Sequence, residues 1–378
     1  MQFISRRGLA LACACLVALG VAACGSSDES SSGSTAGGTA TSGQQADVAS
    51  VEAAVERAKE PVSDRTLGPP VAATRGKKVT AIMCTAQSEG CALLGRRFKA
   101  AADTLGWDAT IVDGGGAPDR QSAAVLNAVA AGTDGIFLIS IDRSAVAQGL
   151  AKASAARIPV VSTASDNTAG DGPENVFAEV GFDGRALGEM AANWIVADSD
   201  AKANVAVFKS PELKALTDRW AGAEPIFEAC ADCKVVDTVE YSLARAVNDL
   251  PLRAKSLLLA HPDVDYIWLD AGGFTAPVAN ALQEIGRNDV KIATFDCVSS
   301  NFTAIRADEV VRACAGLGIP KAAWSGADQL NRAFAGEPAA TVGDVGDIRL
   351  FDRTNLPDTA YWDGDFDYES NYKDNWGL

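Results

Sequence analysis

At 378 residues the chain is too long for one small domain, since a domain takes roughly 150 residues. With 48% hydrophobic and 22% charged residues it can bury ordinary cores, which argues against global disorder and against collagen-like or coiled-coil architectures. A net charge of −16 repels polyphosphate and argues against nucleic acid, and the single histidine, His261, leaves a histidine base or a two-imidazole metal site almost nothing to draw on.

Residues 1–23 carry Arg6 and Arg7, then a largely apolar run and small residues, the pattern of an export signal and too short for a membrane span. Val21-Ala22-Ala23-Cys24 resembles a bacterial lipobox, which predicts cleavage before Cys24 and a lipid on its sulfur; Arg6-Arg7 also partly resembles a twin-arginine signal. Residues 24–76 read as anchor, linker and short helix. The Ser/Gly/Thr/Ala composition of 25–45 predicts a disordered tether with a reach of roughly 25 Å. Val48, Val51, Val55 and Ala58 share one helical face before Pro61, and Pro69-Pro70 marks a boundary ahead of a globular part starting near Lys77.

From there apolar runs, turns and helix-like segments alternate, the signature of parallel βαβ units. Strands are predicted at 79–84, 109–112, 135–141 and 159–163, with helices at 93–105, 121–131 and 145–156. The second half repeats the rhythm, with strands at 205–208, 234–239, 266–270 and 291–295 and helices at 216–230, 247–260 and 276–285. The fold class is therefore α/β, with two doubly wound parallel-sheet lobes and a cleft outside the carboxyl ends of their strands. Gly114-Gly115-Gly116 lacks the spacing of a phosphate loop and reads as a tight turn. His261 reads as a helix-end residue away from the cleft.

Leu105-Gly106-Trp107, Asp134-Gly135-Ile136 and Arg157-Ile158-Pro159-Val160-Val161, followed by Ala260-His261-Pro262-Asp263-Val264, Trp268-Leu269-Asp270 and Thr294-Phe295-Asp296, resemble in order and spacing the ribose-binding-protein type of periplasmic sugar-binding protein, the solute receptors of ABC importers. The resemblance covers roughly residues 77–345. It implies the type 1 periplasmic binding protein fold, with three hinge crossovers near Phe182-Asp183, Gly316 and Val345. Lobe 1 would hold 77–182 and 317–345, and lobe 2 183–316 and 346–378, with the acidic, aromatic tail on lobe 2.

The resemblance also implies where ligand contacts fall. Where sugar binders carry an Asn and two Phe, this chain has Ser88-Glu89-Gly90-Cys91; their Asp-Arg pair becomes Ala164-Ser165 with Asp166 one step later, and Asp296 alone carries over cleanly. By position the candidate contacts are Gln87, Ser88, Glu89, Asp142, Asp166, Thr217, Arg219, Asp270 and Asp296, with Phe274 and Trp220 as apolar surfaces. Acceptors outnumber cations, which suits a polyol, an amino sugar or another cationic solute. Each acidic residue also has a bland reading as a solvated loop residue or helix cap.

Outside the signal and Cys24 remain Cys84, Cys91, Cys230, Cys233, Cys297 and Cys314, an even number in an oxidising compartment. Six cysteines allow fifteen connectivities, among which proximity in the chain favours 84–91, 230–233 and 297–314. Cys230-Ala231-Asp232-Cys233 follows a helix rather than opening one, a position that disfavours thiolate and favours a structural disulfide.

The leading expectation is a non-enzymatic, monomeric lipoprotein receptor, held on the extracytoplasmic side of the membrane, that binds a small sugar-like molecule and delivers it to an ABC permease. It uses no metal or cofactor. The alternatives are a ligand-sensing receptor for a membrane sensor or chemoreceptor and, further off, an exported thiol oxidoreductase or hydrolase.

Overall fold

Apolar strands alternating with amphipathic helices build two six-stranded sheets in a computed structural model that describes residues 48–378 apart from 65–66, 166–169, 172–175 and 341–345. The expected signal, Cys24, the tether, Asp166 and the crossing at Val345 lie outside the described residues. Among those described, no helix is long and apolar enough to cross a membrane.

After α1 (Val48–Ala58), the first lobe is made by β1 (Lys78–Met83), α2 (Glu89–Leu105), β2 (Asp108–Asp113), α3 (Pro118–Ala130), β3 (Gly135–Ile139), α4 (Ala147–Ala155), β4 (Val160–Thr163), β5 (Gly170–Asp171) and β6 (Ala178–Val180). The sheet order is β2-β1-β3-β4-β6-β5, parallel except for the short edge strand β5. Every residue of β3 is buried, as expected of a strand covered on both faces. Leu94, Phe98, Ala101, Ala102 and Leu105 recur at helical spacing and press α2 on this sheet, and Gly106 ends the helix in the left-handed conformation, its N–H returning to Ala102.

The second lobe comprises α5 (Gly184–Asp198), β7 (Asn204–Lys209), α6 (Lys214–Ala229), β8 (Lys234–Glu240), α7 (Ala246–Ala260), β9 (Tyr266–Leu269), α8 (Thr275–Glu284), β10 (Lys291–Asp296), α9 (Ser299–Arg306) and β11 (Val311–Leu317). The chain then returns through α10 (Ile319–Ala335) to the first lobe, and β12 (Ile348–Asp352) and α11 (Tyr368–Trp376) follow. The second sheet runs β12-β11-β10-β9-β7-β8, with only β12 antiparallel. Helices α5 and α6 cross at backbone contact: a Cβ on Gly188 would lie 1.7 Å from the Arg219 carbonyl oxygen. This crossing fixes the height at which Arg219 leaves α6.

Three of the segments that run between the lobes bond to one another, Gly346 N–H to the Gly181 carbonyl and Gly318 N–H to that of Asp347, each at 2.8 Å. Beside them Lys321 and Asp347 form an ion pair 3.1 Å long with both side chains buried.

Both ends of the described chain also pass from one lobe to the other. Helix α1 buries Val51 and Val55 against α5, as its valine spacing predicts, while residues 69–74 lie along α10, where Asn331 and Arg332 bond their carbonyls. The globular part thus starts before Lys77. The tail corrects the expectation that it sits wholly on lobe 2. Trp362 does pack on Phe351 of β12, but α11 lies on lobe 1, where Trp376 stacks on Trp324 and donates to Asp328, and Arg97 of α2 bonds Asp363, Tyr368 and Glu369. Aromatic area and a half-buried guanidinium favour that placement over a second-lobe surface already covered by β12.

Candidate functional site

The carboxyl ends of β1, β3 and β4 face those of β7, β9 and β10 across a narrow cavity of about 60 Å³. From the first lobe come the Cys84–Cys91 disulfide, Ser88, Gly90, Leu94, Ser140 and Ala164. The second lobe supplies Leu213, Ala215, Leu216, Arg219, Leu243, Ala271, Phe274 and Asp296, and Leu317 and Ile319 close the hinge side. Ser140, Ala164 and Asp296 all have positive φ (51°, 52° and 69°), a costly backbone state that turns the chain sharply at the strand tips.

The second lobe holds a buried ion cluster. Arg219 is 5% exposed; its Nη2 donates to Asp296 Oδ1 at 2.9 Å and its Nη1 to the Asp270 carbonyl oxygen. The other Asp296 oxygen accepts from Gly272 N–H at 3.0 Å, and the Arg219 guanidinium rests 4.7 Å from the Phe295 ring centroid. Asp270 is wholly buried and accepts from the Tyr241 hydroxyl at 2.5 Å and from Ser210 N–H at 2.6 Å. Burial drives its carboxyl up to about 7, against the lowering pull of those donors and of Arg219, and the same burial holds the Tyr241 hydroxyl well above its ordinary range.

The lobes meet at three points around the cavity. The Glu89 carboxylate, at the start of α2, accepts from the backbone N–H and hydroxyl of both Ser299 and Ser300 in the first turn of α9. This puts a negative charge on the positive end of the helix dipole. A Cβ on Gly273 would lie 2.5 Å from Ser88 Oγ, and one on Gly116 would lie 2.9 Å from Cα of Ala244. Bare backbone lets the lobes approach this closely.

Of the residues nominated from sequence, Ser88, Arg219, Phe274 and Asp296 line the cavity together. Asp270 lies behind it, bonded to the protein, and Glu89 spans its edge. Asp142 caps a short helical turn through Ser144 N–H, Thr217 is exposed with its hydroxyl on the Lys214 carbonyl, and Gln87 is exposed. Trp220 packs on Trp268 and Phe227 instead of facing the cavity. The sequence reading misses Ser140 and the cavity leucines. The one available signal is Leu213 and Leu216, apolar residues placed just where a strand-to-helix turn is usually polar.

The three disulfides are Cys84–Cys91, Cys230–Cys233 and Cys297–Cys314. The first ties the end of β1 to the first turn of α2, and the third ties the turn after β10 to β11. Cys230 caps the C-terminus of α6, and His261 that of α7. Among the described residues no three potential metal ligands cluster.

Two α/β lobes around a cavity at their strand tips define the type 1 periplasmic binding protein fold. A family model described as a periplasmic binding protein domain matches residues 80–338, and the chain belongs to that family. It is 24% identical over 207 residues to the ribose import binding protein of Salmonella typhimurium, covering 54% of this chain and 67% of that protein. Among solved structures, a sugar ABC transporter protein from Yersinia enterocolitica superposes with a TM-score of 0.68 at 16% identity, covering 82% of this chain and 99% of the other. A 5-methylthioribose transporter solute-binding protein from Thermotoga lettingae gives 0.67 at 14%, covering 82% and 96%. At these identities the structures establish the fold.

Proposed function

We propose that this protein is an extracytoplasmic receptor that traps a small sugar-like molecule between its lobes and hands it to an ABC importer, tethered to the membrane through a lipid on Cys24. The observation that carries this reading is the cavity itself, walled by both lobes and crossed at its back by three bonded hinge segments, so that a solute touching both walls favours closure. The similarity to a ribose import binding protein supports both solute class and delivery. Within this reading Ser88, Arg219, Phe274 and Asp296 touch the solute, Asp270 steadies Arg219 from behind, and Glu89 holds the closed state. The protein acts as a monomer.

The test is a thermal-shift screen against sugars, polyols, amino sugars and amino acids, because a solute that binds only the folded protein raises its melting temperature. A hit that Asp296→Ala abolishes is the expected result. A protein whose melting temperature no solute moves is not such a receptor. Labelling with a fatty-acid probe, present in the wild type and lost in Cys24→Ser, checks the anchor.

A further inference from the structure

The cavity wall is aliphatic where a fully hydroxylated sugar needs donors and acceptors. Leu94, Leu213, Leu216, Leu243, Phe274 and Ile319 surround it. Among the described residues the polar side chains there are few: Arg219 and Asp296, already paired with each other, and the hydroxyls of Ser88 and Ser140. Ser88 is 7% exposed, and among the described residues neither serine hydroxyl has a protein partner, which leaves both for a guest. The other nearby carboxylates among the described residues are committed elsewhere, Glu89 to the serines of α9 and Asp270 to Tyr241 and Ser210. Among the described residues no free negative charge therefore awaits a cationic solute, and a single aromatic ring, Phe274, stands where a sugar ring would need two faces.

Resting on the receptor reading above, we propose that the solute is a sugar-sized molecule in which an alkyl or aryl substituent replaces part of the hydroxyl set. Its hydroxyl-bearing end meets Asp296, Arg219 and Ser88, and its apolar end lies among Leu94, Leu216, Leu243 and Phe274. A hydroxyl buried against leucine loses its water partners and gains none, so a free hexose or cyclitol binds poorly. A methylene in the same place gains about fourfold in affinity.

Calorimetric titration of the purified protein with matched probes tests this: ribose, glucose and myo-inositol against the methyl, propyl and phenyl β-D-ribofuranosides and β-D-glucopyranosides. The expected result is at least tenfold tighter binding of the best substituted sugar than of its parent, with affinity climbing from methyl to propyl. Leu216→Asn reduces that climb, and Leu243→Asn does the same should the first variant fold poorly. Parent sugars binding as tightly as their glycosides overturn the proposal and leave the receptor reading standing. Silence from every probe alongside a hit elsewhere in the broad solute screen also overturns the proposal alone. A screen without any hit removes the receptor reading and the proposal together.

Discussion

At the strand tips of the first lobe the chain presents a disulfide, Cys84–Cys91, with the small residues Ser140 and Ala164; at those of the second it presents Asp296 and Phe274, backed by Arg219, Asp270 and Tyr241. The sheets behind these tips are built on one plan, each with five parallel strands and one antiparallel edge strand. Sheet topology therefore sets where a cavity forms, and the loop residues alone decide what it recognises. The charged cluster gives the second lobe a rigid polar floor. The first lobe supplies two serine hydroxyls, Leu94 and the Glu89 contact, while most of the leucines that line the cavity stand beside the charged cluster on the second.

Removing a carboxylate from the floor tests this division most severely. Asp296→Ala leaves Arg219 buried without its partner, and breaking a buried pair from one side costs about 3–5 kcal/mol. The melting temperature should fall by several degrees and solute affinity by at least about 100-fold, since hydrogen bonds to charged groups are lost. Ser88→Ala, on the opposite wall, should lower affinity far less and leave melting unchanged. Equal effects from the two changes in calorimetry and melting would break the comparison.

Asp270 sharpens it through pH. Its carboxyl is raised to about 7 in the folded protein, against about 3.9 in an unfolded chain, so the folded state holds the proton over that interval. The stability this group contributes is complete below pH 4 and is lost as pH rises through 7. Between pH 5 and pH 8 the wild type should lose on the order of 2 kcal/mol that Asp270→Asn does not lose. The measurement is the difference between the two melting curves across that range, which cancels the other titrating groups. Parallel curves would mean that Asp270 stays ionised and that the floor carries more charge than its burial suggests.

The closeness of the two walls is tested by Gly116→Val. The new Cβ would sit 2.9 Å from the Ala244 backbone of the opposite lobe, at a φ of +70° that a β-branched residue rarely adopts. Backbone strain of about 1–2 kcal/mol acts whether or not the lobes meet, while the clash acts only when they do. Solute affinity should drop about tenfold, a further 1.4 kcal/mol, and scattering with saturating solute should show a larger radius than the wild type. Unchanged affinity would show that the lobes need not approach this closely.

Much of the scaffold was legible because its signals are local. Strand runs such as Gly135–Ile139 and the valines of α1 announce themselves within a few residues, whereas Asp296, the last residue of β10, was nominated through the family resemblance. The long helix α10 was less legible. It buries Lys321, Asp328, Gln329, Asn331 and Arg332 along with its apolar residues, so polar partners from distant segments blur its pattern. Strand β11 is hidden for another reason: Ala, Cys and Gly dominate its buried face and carry little strand preference. At the site, periodicity says nothing about which side chains meet across two lobes. Glu89 is a plausible solute contact by position, yet the structure gives its carboxylate to Ser299 and Ser300, more than 200 residues away.

That contact carries the mildest test. A carboxylate offers two oxygens to the four donors of Ser299 and Ser300, whereas the glutamine of Glu89→Gln offers one and turns an amide toward the rest. The charge at the first turn of α9 disappears as well, an effect of about 1 kcal/mol and at most about 2 for a partly buried helix terminus. Because the contact joins lobe to lobe, its loss should be felt by the closed state and not by either lobe alone. Solute affinity should fall about threefold to fivefold while the melting temperature without solute stays put. Ser300→Ala should reproduce part of this loss, and the two changes together should cost less than their sum, since they remove one shared interaction. A full loss from Glu89→Gln with none from Ser300→Ala would instead make Glu89 a direct solute contact and return recognition to the first lobe.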